Sequence, residues 1–233
     1  MGSLMHEEMN EMESQRMTRD PAVLRAEQQK TIQSPRNRYG LLARALFLFM
    51  DFWYGRKRTL SKFKVLEVIA RVPYQSWEHV AYIAMTHTYG QPHFARRIFE
   101  FIKESRAQQD NEQWHLLILE EMVQRKGMRE NFLMHRVLPQ IVAFFYYHMS
   151  WLLYVIHPAW SYGLNADFED HAEHEYMEFV NETPTLETEP FESDFEEEYG
   201  DFDNCADLFR RIGWDERIHK QESLDRITHA RFS

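Results

Sequence analysis

The chain has 233 residues, of which 44% are hydrophobic and 15% aromatic, so it is long enough to bury a sizeable core. Its 27 basic residues stand against 37 acidic ones, and ten of the acids lie in residues 182–203, which contain no base. The rest of the chain is neutral, which argues against a general nucleic-acid-binding protein. A single cysteine, Cys205, excludes an intrachain disulfide and a CxxC metal site, and it fits a packed side chain in a reducing compartment.

The first part of the chain is polar and rich in Glu and Met. It has no apolar signal core and lacks the Arg- and Ser-rich, acid-poor character of an organelle transit peptide. We therefore predict a flexible N-terminal tail over residues 1–37 and one domain over residues 38–230.

Glycine and proline are scarce in that domain, and apolar residues recur three and four positions apart, which predicts an all-α fold. The predicted helices cover residues 38–55, 60–89, 93–126, 129–157, 160–182 and 204–230. The acidic run 182–203 separates the last two helices, and we expect it to form a solvated loop within the domain.

Two of the predicted helices are unusually apolar. Residues 137–166 contain no Asp, Glu, Lys or Arg, and residues 41–54 are followed by the basic cluster Arg56, Lys57 and Arg58. Helices of this kind lie in a membrane surface with their apolar side down and cations among the headgroups. The alternative is that both belong to a soluble core, but their joint occurrence favours membrane association.

Two ExxH elements stand out next. They are "NEQWH", with Glu112 and His115, and "DERIH", with Glu216 and His219. On a helix this spacing places a carboxylate and an imidazole on one face. Such pairs also arise by chance, and a core histidine beside a surface glutamate is the ordinary interpretation of either one alone.

Two further carboxylates strengthen the case. Glu67 and Glu169 each lie on an apolar helical stripe, and a di-iron carboxylate bundle takes a lone Glu from each of two helices and an ExxH from each of the other two. Four acids and two imidazoles suit iron or manganese better than structural zinc. The candidate metal ligands are therefore Glu67, Glu112, His115, Glu169, Glu216 and His219.

Four motifs together resemble those of the alternative oxidase family. They are "LEVIARVPY", "NEQWH", "FEDHAEHEY" and "DERIH", in that order, and the resemblance covers residues 45–228. The ARVPY motif and the segment "FYYHMSWLLYVI" are closer to the plastid terminal oxidase branch than to the mitochondrial branch. The resemblance implies a ferritin-like four-helix di-iron bundle with two additional membrane-associated helices.

The resemblance also implies roles for single residues. The family's redox-active tyrosine corresponds to Tyr176, although a tyrosine merely packed on a ligand helix is the plain alternative. Its acid before the last ExxH ligand corresponds to Asp215, which would orient a metal-bound imidazole or else lie on a solvated face. Tyr162 matches a position near the quinol site, and Lys62 stands where the family commonly has Arg.

The function that the resemblance implies is a quinol oxidase with two non-haem iron ions, which oxidises plastoquinol or ubiquinol and reduces O2 to water without pumping protons. Its expected partners are the quinol, O2 and a membrane surface bound in a monotopic way, with a homodimer left open and no nucleic acid. The expected location is the interface of a bacterial cytoplasmic, photosynthetic or organelle membrane. The alternatives are another ferritin-like di-iron oxidase or hydroxylase and a non-catalytic, membrane-associated helical protein.

Overall fold

A computed structural model describes residues 20–228 and Phe232, and within them every regular element is helical, which confirms the predicted all-α fold. We number the α-helices α1 to α9 in chain order. They are α1 (Pro21–Gln33), α2 (Leu41–Tyr54), α3 (Leu60–Ala70), α4 (Val72–Thr88), α5 (Pro92–Arg125), α6 (Leu138–Ile156), α7 (Pro158–Glu182), α8 (Glu196–Tyr199) and α9 (Cys205–Ile227). A π-helical turn (Leu133–Val137) precedes α6, and a 3-10 turn (Pro184–Glu187) follows α7. Among the described residues, no helix combines the length and the apolar character needed to cross a bilayer.

The predicted helix 60–89 is two helices in the structure, α3 and α4, which meet at Arg71. Pro73 has no N–H and cannot donate to the carbonyl of Ile69, so the helical hydrogen-bond ladder is interrupted there. Arg71 itself keeps helical angles (φ −60°, ψ −33°), so the chain continues from one helix directly into the next.

Helix α1 lies in the segment predicted as a flexible tail, and residues 1–19 of that tail lie outside the described residues. The carboxylate of Asp20 accepts a hydrogen bond from the N–H of Ala22 (2.8 Å) and so caps the helix. Leu24 and Gln28 are buried, and the Gln28 side chain donates to the carbonyl of Met177 (2.9 Å). Contacts with residues far along the chain therefore order a stretch whose composition alone predicts a tail.

The chain divides into two compact units by its internal contacts. The first unit comprises residues 20–36 and 171–218 of the described chain, and the second comprises residues 37–170, 219–228 and Phe232. In the first unit, Arg210 is buried and binds both Asp207 (2.7 Å) and Gln28 (2.8 Å).

The acidic run belongs to the first unit and is more ordered than the predicted solvated loop. Most of its carboxylates are exposed, as expected for a charge run. Four of its large apolar side chains are instead buried, namely Leu186, Phe191, Tyr199 and Phe202. The apolar residues between the acids thus give the segment a packed inner side, which a count of charges does not reveal.

In the second unit, α3 and α4 pack against α5 and α6. The core between these helices is strongly aromatic: Trp77 of α4 lies edge-on to Tyr162 of α7 (ring centroids 4.8 Å apart), and Tyr154 of α6 stacks on Phe101 of α5 (6.3 Å). Helices α3 and α5, and the part of α7 in this unit, carry polar residues of the candidate site.

Candidate metal centre

The second unit brings five of the six predicted ligands together. Donor atoms of Glu67, Glu112 and His115 lie within 4.8 Å of one another, and so do donor atoms of Glu112, Glu169 and His219. Four helices supply them: α3, α5, α7 and α9. All five side chains are buried, and Glu112 belongs to both groups.

Helix α5 shows why the sequence places these groups inside. Its buried side includes Ser105, Gln108, Glu112, His115 and Leu119, which recur at spacings of three and four residues. One face of the helix therefore carries polar groups among apolar ones, as the sequence predicts.

The geometry around Glu112 brings charged and titratable groups close together. The Nδ1 atom of His219 lies 2.7 Å from Oε1 of Glu112, and the Nδ1 atom of His115 lies 3.8 Å from Oε2. His115 is also 3.5 Å from Oε2 of Glu67. Burial raises the pKa of the Glu112 carboxyl, but the two imidazoles more than compensate and hold that pKa well below its usual range.

The donors around Glu112 fit a metal ion. Although two imidazole nitrogens are near, neither oxygen of Glu112 accepts a hydrogen bond of acceptable geometry from the described residues. A fully buried carboxylate in this position carries a large desolvation cost. Carboxylate oxygens and imidazole nitrogens facing one point are the donor set of a non-haem iron or manganese site, and a bound cation would offset that cost.

Glu169 has a partner that the sequence analysis did not identify. The hydroxyl of Tyr74, in α4, donates to Oε1 of Glu169 at 2.6 Å. Burial, and then the charges of Glu169 and Glu112, raise the pKa of Tyr74 well above its ordinary value, so the phenol keeps its proton. The only signal in the sequence is that Tyr74 shares the helical stripe of Glu67.

Glu216, the sixth predicted ligand, is completely buried in α9, one turn before His219. Because the two residues are three apart on one continuous helix, they face the same side of it. Glu216 is assigned to the first unit, and its role as a ligand remains a prediction.

Tyr176 and Asp215 are also buried in the first unit. Tyr176 stacks on Phe209, with ring centroids 6.1 Å apart. Asp215 accepts a hydrogen bond from the hydroxyl of Tyr199 (2.7 Å) and pairs with Arg211 (2.8 Å). The redox role of Tyr176 and the orienting role of Asp215 stay predictions.

The two predicted quinol contacts occupy different surroundings in the second unit. The Nζ of Lys62 binds the carboxylate of Asp51 (2.7 Å) and the carbonyl of Gly55 (3.0 Å), and so ties α3 to the end of α2. Tyr162 lies in the aromatic core, where its hydroxyl donates to that of Tyr154 (3.2 Å). Neither contact tests the predicted roles in quinol binding.

An apolar groove of about 430 Å³ lies between α2 and α6. Its walls include Leu46 and Phe49 of α2 and Phe145 and Met149 of α6. Tyr146 lines it too, and its buried hydroxyl has no hydrogen-bond partner among the described residues. Burial and the charge of Glu169 raise the pKa of Tyr146 well above its ordinary value. The sequence analysis did not single out this tyrosine, which is one of two adjacent tyrosines in the charge-free segment.

The outer sides of α2 and α6 expose large apolar side chains. On α2, Leu41, Leu48 and Phe52 are 84%, 67% and 77% exposed. On α6, Phe145 is 66% exposed and Ile156 is 60% exposed. Exposed large apolar side chains in such numbers are typical of surfaces that bind a membrane or another protein.

These features describe an all-helical protein with a buried cluster of carboxylates and imidazoles suited to metal binding. The family model described as "Alternative oxidase" matches residues 8–221, and the chain belongs to this family. It is similar to the Arabidopsis thaliana protein "Ubiquinol oxidase 4, chloroplastic/chromoplastic", with 34% identity over 139 residues. That match covers 60% of this chain and 36% of the relative, so the chain matches little more than a third of the relative's length. The predicted family, with its likeness to the plastid branch, is confirmed.

Proposed function

We propose that the chain is a quinol:oxygen oxidoreductase, which oxidises a membrane quinol and reduces O2 to water without pumping protons. The observation that carries this proposal is the buried set of carboxylates and imidazoles in a chain of the alternative oxidase family. The name of the Arabidopsis relative supports a quinol as the electron donor, with ubiquinol or plastoquinol as the candidates.

The proposed cofactor is a pair of iron ions. The residues that would hold it are Glu67, Glu112, His115, Glu169, Glu216 and His219. When bound, iron supplies the redox chemistry that transfers electrons to O2. The protein keeps Glu112 ionised between two imidazoles. It also excludes bulk water from the cluster, because the side chains of all the proposed ligands are buried.

The groove between α2 and α6 is the proposed approach for the quinol. Its apolar walls suit a quinone ring and an isoprenoid tail. Tyr146 lines the groove, and its hydroxyl, which has no partner among the described residues, is the proposed hydrogen-bond donor to the quinol. After burial, the charge of Glu169 is the next cause of the raised pKa of Tyr146. Lys62 and Tyr162 remain proposed quinol contacts.

The proposed location is the surface of a membrane, with the exposed apolar sides of α2 and α6 inserted in one leaflet. This arrangement gives a lipid-soluble quinol a short path to the groove. A homodimer and the absence of nucleic-acid partners stay predictions of the sequence.

Oxygen uptake by membranes that contain the chain tests this function. With a short-chain quinol as the donor, we expect uptake that is insensitive to cyanide and is lost in Glu112→Ala. The matched control is Glu100→Ala, which removes a glutamate from the exposed side of the same helix and should leave uptake unchanged. Equal uptake in Glu112→Ala and in the unmodified chain would refute the proposed site. Iron binding without quinol-driven uptake would favour another di-iron oxidase instead.

A further inference from the structure

Tyr74 contacts two of the proposed metal ligands from a third helix. Its hydroxyl donates to Oε1 of Glu169 at 2.6 Å, and its ring lies edge-on to the imidazole of His219, with centroids 5.6 Å apart. The side chain is completely buried, and its ring also makes a T-shaped contact with Trp77, with centroids 5.2 Å apart. Tyr74 therefore lies beside the metal centre without being one of its ligands.

A second residue fixes the direction of the hydrogen bond. The Nδ2 atom of Asn165 donates to the hydroxyl oxygen of Tyr74 (3.0 Å) and to that of Ser223 (3.1 Å). A phenol has one proton, and because its oxygen already accepts from Asn165, that proton points to Glu169. If the amide were reversed, Oδ1 of Asn165 would take the proton, and two oxygens would face each other at 2.6 Å with no proton between them.

The separation of 2.6 Å is typical of a hydroxyl that donates to an ionised carboxylate. A carboxylate can bind a metal ion through one oxygen or through both. A strong hydrogen bond uses one of the two lone pairs of its acceptor oxygen and fixes the plane of the carboxylate, so it favours coordination through the other oxygen.

We propose that Tyr74 is a positioning residue of the metal centre: its hydroxyl bonds Oε1 of Glu169 and so orients the carboxylate, with Oε2 as the preferred metal donor, while Asn165 holds the hydroxyl in this role. The inference rests on the proposed function, because it requires that Glu169 bind a metal. Groups that orient ligands in this way affect metal affinity by about 10- to 100-fold.

The test is a titration of the purified full-length chain with Co2+, whose visible absorption reports the number and arrangement of its ligands. Tyr74→Phe keeps the ring and removes the hydroxyl. We expect Co2+ to bind about 10- to 100-fold more weakly than in the unmodified chain and to show a changed visible spectrum. The matched control is Tyr154→Phe, which removes a buried hydroxyl from the neighbouring core, where it bonds Tyr162. A purely structural effect of losing a buried hydroxyl would appear in the control too, whereas the proposal expects the control's spectrum and affinity to be unchanged.

A second variant keeps the test decisive if Tyr74→Phe does not fold. Asn165→Leu leaves the hydroxyl of Tyr74 in place but removes the donor that directs it, so we expect the same spectral change at smaller amplitude. Wild-type spectra and affinities in the folded variants would overturn the inference while leaving the metal centre intact. If the unmodified chain binds no Co2+, the proposed function itself fails, and the inference fails with it.

Discussion

Replacing Tyr146 by phenylalanine should raise the stability of the protein and lower its affinity for quinol at the same time. The Tyr146 side chain is 8% exposed, and its hydroxyl has no hydrogen-bond partner among the described residues. Tyr146→Phe removes that hydroxyl and leaves the ring against Phe168, whose centroid lies 5.9 Å away. The two expected effects have opposite signs because the hydroxyl is unsatisfied without quinol and is proposed to be satisfied with it.

The size of each effect follows from hydrogen-bond energetics. A buried polar group without a partner costs about 1–3 kcal/mol, so its removal should stabilise the quinol-free protein by up to that amount. For a chain of this length, each kcal/mol corresponds to roughly 2–4 °C in Tm. A hydrogen bond to the quinol is worth about 0.5–1.5 kcal/mol net, which corresponds to a rise in KM of about 2- to 10-fold. We expect kcat to change much less, because the lost contact serves binding.

Thermal unfolding of the purified protein measures the first effect, and oxygen uptake at varied quinol concentration measures the second. The matched control is Tyr147→Phe, one residue further along α6. The hydroxyl of Tyr147 lies 2.8 Å from Nδ1 of His79, so its removal should not stabilise the protein and should leave KM unchanged. A lower Tm in Tyr146→Phe, or an unchanged KM, would refute the reasoning about the groove.

Two further predictions concern membrane binding and pH. Substituting Leu48 and Phe52 together by glutamate should lower the affinity for phospholipid vesicles, measured by sedimentation, by more than about 100-fold. Each apolar side chain that moves from water into the membrane contributes about 1.5–3 kcal/mol to binding. Tyr89→Glu, at an equally exposed position outside α2 and α6, is the control, and equal losses in both would contradict the assignment of the membrane-facing side. Burial raises the pKa of Glu120, but hydrogen bonds from Lys64 and Gln124 outweigh it, so the folded-state pKa lies below the ordinary 4.5. The stability that Glu120 contributes is therefore present above pH 4.5 and is lost as the pH falls through the lower folded-state pKa. The free energy of unfolding, measured with denaturant at several pH values, should therefore fall less steeply with acid in Glu120→Gln than in the unmodified chain. An equally steep fall in both would contradict this prediction.

The sequence predicted the ligand-bearing helices because helical periodicity and local residue type determine them. Glu112 and His115 lie on one stripe of α5, and that stripe is buried as expected. One helix was predicted over residues 60–89 because the apolar periodicity continues through Arg71, and Pro73 is the local signal of the interruption found there.

The differences between the sequence analysis and the structure in the first unit have another origin. The Gln28 side chain bonds the carbonyl of Met177, 149 residues away, and Arg217 donates to the carbonyl of Glu27 across 190 residues. Such pairings turn a polar segment into an ordered helix, and no local pattern encodes them. The packed side of the acidic run was missed for the same reason, since its burial depends on where Phe191 and Phe202 find apolar neighbours.

Two tyrosines near Glu169 can donate hydrogen bonds in the proposed oxidase but cannot accept protons. The pKa values of Tyr74 and Tyr146 are raised by burial first and by the charge of Glu169 second. Both phenols therefore stay protonated at neutral pH, so Tyr74 can donate to the proposed metal ligand Glu169 and Tyr146 can donate to the proposed quinol. Because a protonated phenol is a poor base, neither can take up the protons that quinol oxidation releases.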